Sequence, residues 1–162
     1  MAVVDFFLKI TGVEGESTDS KHKSEIDLQS FSWGESQTGS SSAGGGGGAG
    51  KVKMHDFHFT MKVNKASPKL LLHCASGVHF KEGLLTCRKA GALQQEYMKI
   101  KFTDLMISSY QTGASASSDT LPVDQISFNF SKIEYEYSAQ KADGSLEGAI
   151  KAGWDLKANK KV

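Results

Sequence analysis

The amino-acid sequence predicts a mainly β protein: a small β-barrel with one short flanking helix and one extended loop. Three observations support this prediction. Apolar and polar residues alternate in several stretches, three longer stretches change phase midway, and one stretch carries clear helix start and stop signals. Strict alternation is typical of strands that bury one face, so most of the chain is predicted to be such strands.

The first strand is predicted at the N-terminus, where Val4, Phe6, Leu8 and Ile10 share one side and Asp5 lies on the other. The stretches 57–63 and 150–156 show the same alternation. Their apolar members are Phe57, Phe59, Met61 and Val63 in one stretch, and Ile150, Ala152, Trp154 and Leu156 in the other. Each stretch is predicted to be a strand with one buried face and one wetter face.

Three predicted strands change phase, near Gln29–Ser30, Thr103–Asp104 and Ser131–Lys132. One explanation is a β-bulge, which adds one residue and bends the strand, and bent strands allow a sheet to close into a barrel. The other explanation is a strand whose halves bury opposite faces, one in the core and one against a partner subunit. The sequence alone leaves both open.

The helix is predicted over residues 67–76. Ser67 can cap its start, Pro68 suits the first helical position, and Gly77 follows its end. Its residues are apolar nearly all round, which is typical of a buried helix, so we expect it to pack against the barrel or a neighbouring subunit.

The extended loop is predicted over Gly39–Gly50, which holds seven glycines in 12 residues. Its end and Lys51 nearly match a phosphate-binding loop, but Val52 stands where Mg²⁺ requires a hydroxyl, and a strand pattern follows instead of a helix. We therefore expect no nucleotide site. The loop is predicted to be either a flexible surface loop or a segment that orders when it docks on a partner.

Composition excludes several classes of function. The 162 residues suit a single domain, and 19 basic against 18 acidic residues argue against a general nucleic-acid binder, as does the presence of only one arginine, Arg88. We expect no membrane insertion, because no apolar run reaches about 18 residues. The N-terminus lacks a basic region and a small-residue cleavage site, so no signal peptide is expected.

We expect no catalytic set, no metal site and no cofactor. His55 and His58 are three residues apart on a predicted strand and so point to opposite faces. The group His73, Cys74, His79 and Cys87 matches no zinc spacing, and Cys74 and Cys87 form no disulfide framework. The chain is therefore predicted not to be an enzyme.

Residues 30–33 predict a surface of a different kind. Phe31 and Trp33 alternate with Ser30 and Ser32. We expect the aromatic side chains to face the core and the serines to face a wet, uncharged, concave surface.

Several motifs, in order along the chain, resemble the Hcp family of haemolysin-coregulated proteins, which are tube subunits of bacterial type VI secretion systems. They are Gly15-Glu16-Ser17, Phe31–Gly39, Gly44–Lys51, Cys74–Gly77 followed by His79, Arg88–Gly91, Gln140–Gly144 and Gly153-Trp154. The resemblance covers essentially the whole chain, 1–162.

This resemblance implies a fold of two packed sheets and a specific assembly. Six copies would form a homohexameric ring, and rings would stack head-to-tail into a tube driven by a contractile sheath and tipped by a spike protein. The tube would leave the bacterial cytoplasm through the type VI system, with small effector proteins held in its lumen. The residues expected in ring stacking are Gly39, Gly44, Gly45, Gly46, Gly47, Gly48 and Gly50, and those expected to face the lumen are Ser30 and Ser32.

Two other functions are kept as alternatives. One is a monomeric β-barrel that binds a ligand with the glycine loop as a lid, and the other is a small hydrolase, for which no nucleophile and base stand out. Six copies of 17.5 kDa would form a ring of about 105 kDa, so native mass separates the tube subunit from the monomeric barrel.

Overall fold

The computed structural model describes residues 4–37, 50–91, 93–117 and 119–162. Within these ranges the chain forms one helix and twelve strands. The strands are β1 (Val4–Ile10), β2 (Ile26–Leu28), β3 (Ser30–Ser32), β4 (Glu35–Gln37), β5 (Val52–Met54), β6 (Phe57–Lys62), β7 (Phe80–Lys89), β8 (Glu96–Gly113), β9 (Val123–Asn129), β10 (Lys132–Tyr137), β11 (Ile150–Asp155) and β12 (Lys160–Lys161), and the helix is α1 (Ser67–Ser76).

Two sheets share the long strand β8. Sheet 1 has the order β12-β11-β10-β8-β7-β1-β2, and sheet 2 has the order β3-β6-β9-β8. The ladders do not close into a barrel: β2 ends sheet 1 and β3 ends sheet 2, although the backbone N–H of Gln29 donates to the carbonyl of Thr60. The mainly β fold of two sheets and one short helix is as predicted.

The three phase changes lie where the chain passes from one sheet to the other. Gln29 separates β2 in sheet 1 from β3 in sheet 2, and Ser131 lies between β9 and β10. Within β8, Asp104 has a φ of 60° and separates the half paired with β10 from the half paired with β9. This arrangement favours the bent-strand explanation, although the register shifts themselves lie elsewhere, at Cys87/Arg88 and Ile107/Ser109.

The core between the sheets is built around packed phenylalanine rings. Phe57 lies 4.9 Å from Phe102 and 5.0 Å from Phe128, and Phe102 lies 5.0 Å from both Phe128 and Phe130. These rings are almost fully buried. The rings come from both sheets and occupy inward-facing positions. Apolar and polar residues alternate in β6, β8 and β9, and this alternation explains why each strand buries one face.

The helix differs from the prediction in two respects. Ala66, rather than Ser67, is the N-cap, and Ser67 instead donates from its hydroxyl to the Asp124 carboxylate at 2.6 Å. Pro68 in the first turn and Gly77 with a φ of 70° are as predicted. Within the helix Ser67 and Leu70 are buried, whereas Leu71 is 51% and Leu72 is 59% exposed, so this chain buries one face of the helix, and burial of the rest against a neighbouring subunit stays a prediction. No helix in the described ranges is long and apolar enough to cross a membrane.

The polar segment between β1 and β2 packs onto the outer face of sheet 1. The single arginine, Arg88, is buried there and donates to both carboxylate oxygens of Asp19, at 3.0 and 2.7 Å, and to Asp5 at 3.0 Å. The ring of His22 lies between Glu25 at 2.8 Å and Glu96 at 2.7 Å. The hydrogen bonds from Arg88 hold the pKa of Asp19 well below its usual range.

Candidate functional site

Sheet 2 presents a polar face away from the core, and we call its two rows without charged side chains the uncharged face; the exposed Lys62 lies beyond them on β6. Strand register places eight polar residues of its four strands in two adjacent rows, with an apolar row pointing inward between them. The polar rows are Ser32–His58–Ser127–Ser109 and Ser30–Thr60–Gln125–Gln111, and the inward row is Phe31–Phe59–Ile126–Tyr110. Across all four strands, these two rows contain no aspartate, glutamate, lysine or arginine.

Ser30 and Ser32 lie on this face, at the edge formed by β3. Both are exposed, and the Ser30 hydroxyl lies 2.6 Å from that of Thr60. Phe31 points the other way and packs edge-on against Phe6, with ring centroids 5.0 Å apart. The predicted separation of aromatic and hydroxyl faces therefore holds for residues 30–32, and the lumenal role of the two serines stays a prediction.

A shallow depression of about 320 Å³ lies on the uncharged face, lined by residues of all four strands of sheet 2. Its hydroxyl, amide and imidazole groups can donate and accept hydrogen bonds without a fixed charge. Such a surface can contact proteins of either net charge, because it carries no charge to repel them.

The hairpin formed by β4 and β5 projects from this sheet, and we call it the arm. Glu35 pairs with Met54 and Gln37 with Val52, and residues 35–37 are all exposed. Of the residues expected in ring stacking, Gly39 and Gly44–Gly48 lie outside the described residues. Gly50 is described and is half-buried, just before β5. The arm therefore carries both ends of the predicted stacking loop.

A groove of about 670 Å³ separates the arm from strands β10 and β11, and we call it the arm groove. Its walls are mainly apolar or aromatic: Trp33, Val52, Met54, Tyr135, Ala152 and Trp154. Among the described residues that line it, Glu35 is the one with a charged side chain. The indole N–H groups of Trp33 and Trp154 are buried without an acceptor among the described residues.

The helix presents a second apolar surface, which we call the helix ridge: Leu71, Leu72 and Val78. Each of these side chains is more than half exposed. The helix α1 packs against β8, and the arm, which forms one wall of the groove, continues from β3.

Several of the sequence motifs have structural rather than surface roles. A Cβ on Gly15 would lie 2.3 Å from the carbonyl oxygen of Glu25, and one on Gly153 would lie 2.8 Å from that of Ile133. Glu16 accepts a hydrogen bond from the backbone N–H of Lys65 at 2.9 Å. These contacts attach the segment before β2 to the start of the helix and allow β10 and β11 to approach closely.

The motifs Arg88–Gly91 and Gln140–Gly144 meet at one end of sheet 1. The Lys89 ammonium donates to the Gln140 side-chain carbonyl at 2.7 Å. Gly144, with a φ of 90°, allows the turn there, and its carbonyl accepts from Gln140 at 3.1 Å. Sequence reasoning identified both motifs, but it had no signal for this contact between residues 51 positions apart.

The histidines and cysteines occupy separate environments. His79 is exposed and lies 2.7 Å from Asp104, His73 stacks on Phe80, and Cys87 is fully buried, which raises the pKa of its thiol to about 12. Within the ranges described above, no group of three His, Cys, Asp or Glu side chains is arranged so that it could hold a metal ion. The buried pairs of Arg88 and His22 were missed from the sequence.

Comparison with known proteins gives consistent results. A family model described as "Type VI secretion system effector, Hcp" matches residues 7–137. The chain is 44% identical to the protein hcp1 of Pseudomonas aeruginosa over 158 residues, which cover 96% of this chain and 97% of that protein.

Solved structures are similar over nearly the whole chain. The structure of Hcp1 from Salmonella typhimurium matches with a TM-score of 0.80 at 34% identity, covering 99% of this chain and all of that one. Another, described as a type six secretion system protein, matches with a TM-score of 0.91 at 34% identity, covering 98% and 99% of the two chains.

Proposed function

The chain belongs to the Hcp family of type VI secretion proteins, and from this premise we propose that it is a structural subunit of the secreted inner tube. Six copies assemble into a ring, and rings stack head-to-tail into a hollow tube. The whole chain, 1–162, acts as one domain in this assembly. Its role is mechanical and does not depend on catalysis or a cofactor.

The observation that carries this proposal is the uncharged face of sheet 2. Its two polar rows run across four strands and include the exposed Ser30 and Ser32. We assign this face to the lumen, because a channel that accepts different small effector proteins needs a hydrophilic wall that favours neither sign of charge. Cargo is held there by hydrogen bonds and shape, so its retention depends little on salt.

The arm carries the contact between rings. Its strands end on either side of the glycine-rich segment of the sequence that contains Gly39, Gly44, Gly45, Gly46, Gly47, Gly48 and Gly50. Glycine suits a stacking contact because it lets backbones approach closely and adopt positive φ. Stacking one surface of the chain on a different surface is a heterologous contact, which extends into a filament instead of closing.

The other partners follow from the same role. The tube contacts a contractile sheath along its outside and a spike protein at its tip, and small effectors occupy its lumen. The chain is made in the bacterial cytoplasm and exported by the type VI machinery. Its net charge of +1 gives it no general affinity for nucleic acid.

Native mass spectrometry and electron microscopy of the purified protein test the assembly. We expect a species of six 17.5 kDa chains, about 105 kDa, with a central hole in the images. A monodisperse monomer at high micromolar concentration would contradict the proposal and would favour a ligand-binding barrel.

The lumen assignment has its own test. Ser32→Gln should leave the ring intact and weaken retention of a co-expressed small effector, because the longer side chain protrudes from the uncharged face. Ser20→Gln, an exposed position on the segment that covers sheet 1, is the matched control. Equal cargo retention by the two variants would show that Ser32 does not face the lumen.

A further inference from the structure

We infer that the buried His22 is a pH-sensitive latch: its protonated ring holds residues 11–25 against the outer face of sheet 1, and this attachment weakens as the pH rises above neutral. Residues 11–25 connect β1 and β2, and we call them the cover segment. The inference goes beyond the proposed function, because it concerns how one chain holds its own surface and does not depend on the assembly of rings.

The contacts of the His22 ring require an additional proton. His22 is 7% exposed, and its Nδ1 lies 2.8 Å from a carboxylate oxygen of Glu25, while its Nε2 lies 2.7 Å from one of Glu96. An ionised carboxylate only accepts hydrogen bonds, and a neutral imidazole has one N–H donor and one bare nitrogen. A neutral ring would therefore place its bare nitrogen against a carboxylate oxygen. Both contacts are hydrogen bonds only when a proton is added to this group of three side chains.

The state of Glu96 places this proton on the imidazole. Burial by itself would raise the pKa of Glu96, but the hydrogen bonds from His22 and Lys99 outweigh burial and lower this pKa below its ordinary value. Glu96 is therefore ionised at neutral pH and accepts from the ring. Its second oxygen lies 3.3 Å from the Lys99 ammonium, so the ring and the lysine share one carboxylate.

The charges around the ring also favour the imidazolium. Besides the two carboxylates that contact it, the elements packed around it contribute Asp5 from β1, Asp19 from the cover segment, Asp27 from β2, Arg88 from β7 and Lys99 from β8. These are five carboxylates against two cations, and both cations are already paired. The neighbouring Lys21 and Lys23 are exposed to solvent, which screens their charge. An excess of negative charge favours the protonated form of a histidine.

The same ring covers two buried groups of sheet 1. It stacks on Phe7 of β1, with ring centroids 4.3 Å apart, and the Arg88 guanidinium carbon lies 4.8 Å from the centroid of the same Phe7 ring. Phe7 is 3% and Arg88 is 4% exposed. Detaching the cover segment would therefore uncover an aromatic ring and a guanidinium on the outer face of the protein.

The dependence of attachment on pH has a definite sign. A solvated histidine loses its proton as the pH rises through about 6.5. The attached ring keeps its proton there, so the attached state binds more protons than the detached state, and attachment weakens with rising pH. Asp19 has the opposite dependence, since its contact with Arg88 is lost on acidification. The cover segment should therefore be held most firmly between about pH 4 and about pH 6.5.

Hydrogen–deuterium exchange followed by mass spectrometry measures the detachment. The purified protein is used at one chain concentration, and exchange is corrected for its intrinsic dependence on pH. Between about pH 7 and about pH 8, the opening equilibrium of peptides from residues 11–25 should rise by up to about tenfold, because one proton is released on opening. Peptides from the buried strands β6 and β9 are the internal reference and should show no corrected change. A rise of less than about twofold in the cover segment would overturn the inference.

Glu25→Gln separates the effect of the proton from that of packing. An amide donates as well as accepts, so a neutral His22 could donate to Glu96 and accept from the new amide. This variant should stay attached at alkaline pH and lose most of the pH dependence. Glu96→Gln makes the same change on the other side of the ring and decides the matter if Glu25→Gln unfolds.

Glu14→Gln is the matched control for these variants. Glu14 belongs to the same segment, but its carboxylate is 78% exposed and pairs with Lys65 at 3.5 Å. This control should keep the pH dependence of the wild type. The same pH dependence in the wild type, Glu25→Gln and Glu96→Gln would show that no proton on His22 controls the attachment.

Solid-state NMR of protein labelled with ¹⁵N-histidine detects the proton directly. At about pH 7 both ring nitrogens of His22 should carry a proton, and His22→Gln assigns the signal by removing it. One protonated and one bare nitrogen would show a neutral ring and would overturn the inference. Neither result bears on whether the chain forms rings, so the latch and the proposed function stand or fall separately.

Discussion

The hydrogen bond between Ser67 and Asp124 joins the start of the helix to sheet 2. Asp124 in β9 is fully buried, and one of its carboxylate oxygens accepts from the Ser67 hydroxyl at 2.6 Å. The other oxygen has no hydrogen-bond partner among the described residues. The α1 N-terminus carries no acidic residue in its first turn, so this carboxylate from β9 supplies the negative charge that the helix dipole favours there.

Replacing Ser67 by Ala should destabilise the protein by about 2–4.5 kcal/mol. The loss of a hydrogen bond to a buried charge accounts for about 1.5–3 kcal/mol of this. The Ser67 hydroxyl also accepts from the backbone N–H of Asn64 at 3.0 Å, a neutral bond worth about 0.5–1.5 kcal/mol. In a chain of 162 residues this corresponds to a fall in melting temperature of roughly 4–18 °C.

Thermal unfolding of the variants at one fixed chain concentration measures this effect, because assembly would otherwise shift the melting temperature. Ser76→Ala, at the exposed end of the same helix, is the control and should cost less than about 0.5 kcal/mol. In an Asp124→Asn background, which removes the buried charge, Ser67→Ala should cost about 1–1.5 kcal/mol less than in the wild type. An equal cost in both backgrounds would refute the role of the charge.

Four further predictions follow from buried groups and from the loop. Burial raises the pKa of Cys87 to about 12, so stability should fall as pH rises above 9, where the unfolded thiol ionises first, and Cys87→Ala should flatten that slope in urea unfolding against pH. The pKa of Asp19 is lowered mainly by Arg88, so the ionised Asp19 carboxylate stabilises the fold fully above about pH 4, and this contribution is lost on acidification. The Asp19→Asn variant should lack this acid-dependent loss of stability, as measured by circular dichroism titrations. Gly15→Ala should cost about 1–3 kcal/mol of unfolding free energy, because the new Cβ meets backbone atoms. Deleting Gly44–Gly48 should leave six-membered rings intact, as measured by native mass spectrometry, and should abolish secretion. Normal secretion would show that the loop is only a spacer. Loss of the rings would show that the loop belongs to the contact between subunits within a ring.

Local patterns in the sequence predicted several parts of the fold correctly. Alternation placed Phe31 inward and Ser30 and Ser32 outward, because side chains of a strand point to opposite faces whatever the strand pairs with. Gly77 ended the helix as expected, since a left-handed C-terminal residue is favourable only for glycine or asparagine. These features depend on residues within a few positions of one another.

Ser67 shows why the helix start was predicted less well. Its hydroxyl was expected to cap its own helix, but the structure provides a stronger acceptor for that hydroxyl, the carboxylate of Asp124, 57 residues further along the chain. The exposure of Leu71 and Leu72 likewise depends on which face of the helix meets β8.

The sequence by itself therefore determined that the stretches 4–10 and 57–62 are strands with one buried face, where the helix ends and to which family the chain is similar, whereas it gave no signal for β7, and the predicted buried face of 150–156 is exposed at Ile150 and Ala152. Only the tertiary structure decided that the three phase changes are passages between two sheets, that Arg88 binds Asp19 and Asp5, and that the arm and strands β10 and β11 form the walls of one mainly apolar groove. The physical reason is the range of the interactions. Side-chain alternation follows from backbone geometry within one strand, whereas register, buried ion pairs and surface grooves depend on groups that folding brings together from distant positions in the chain.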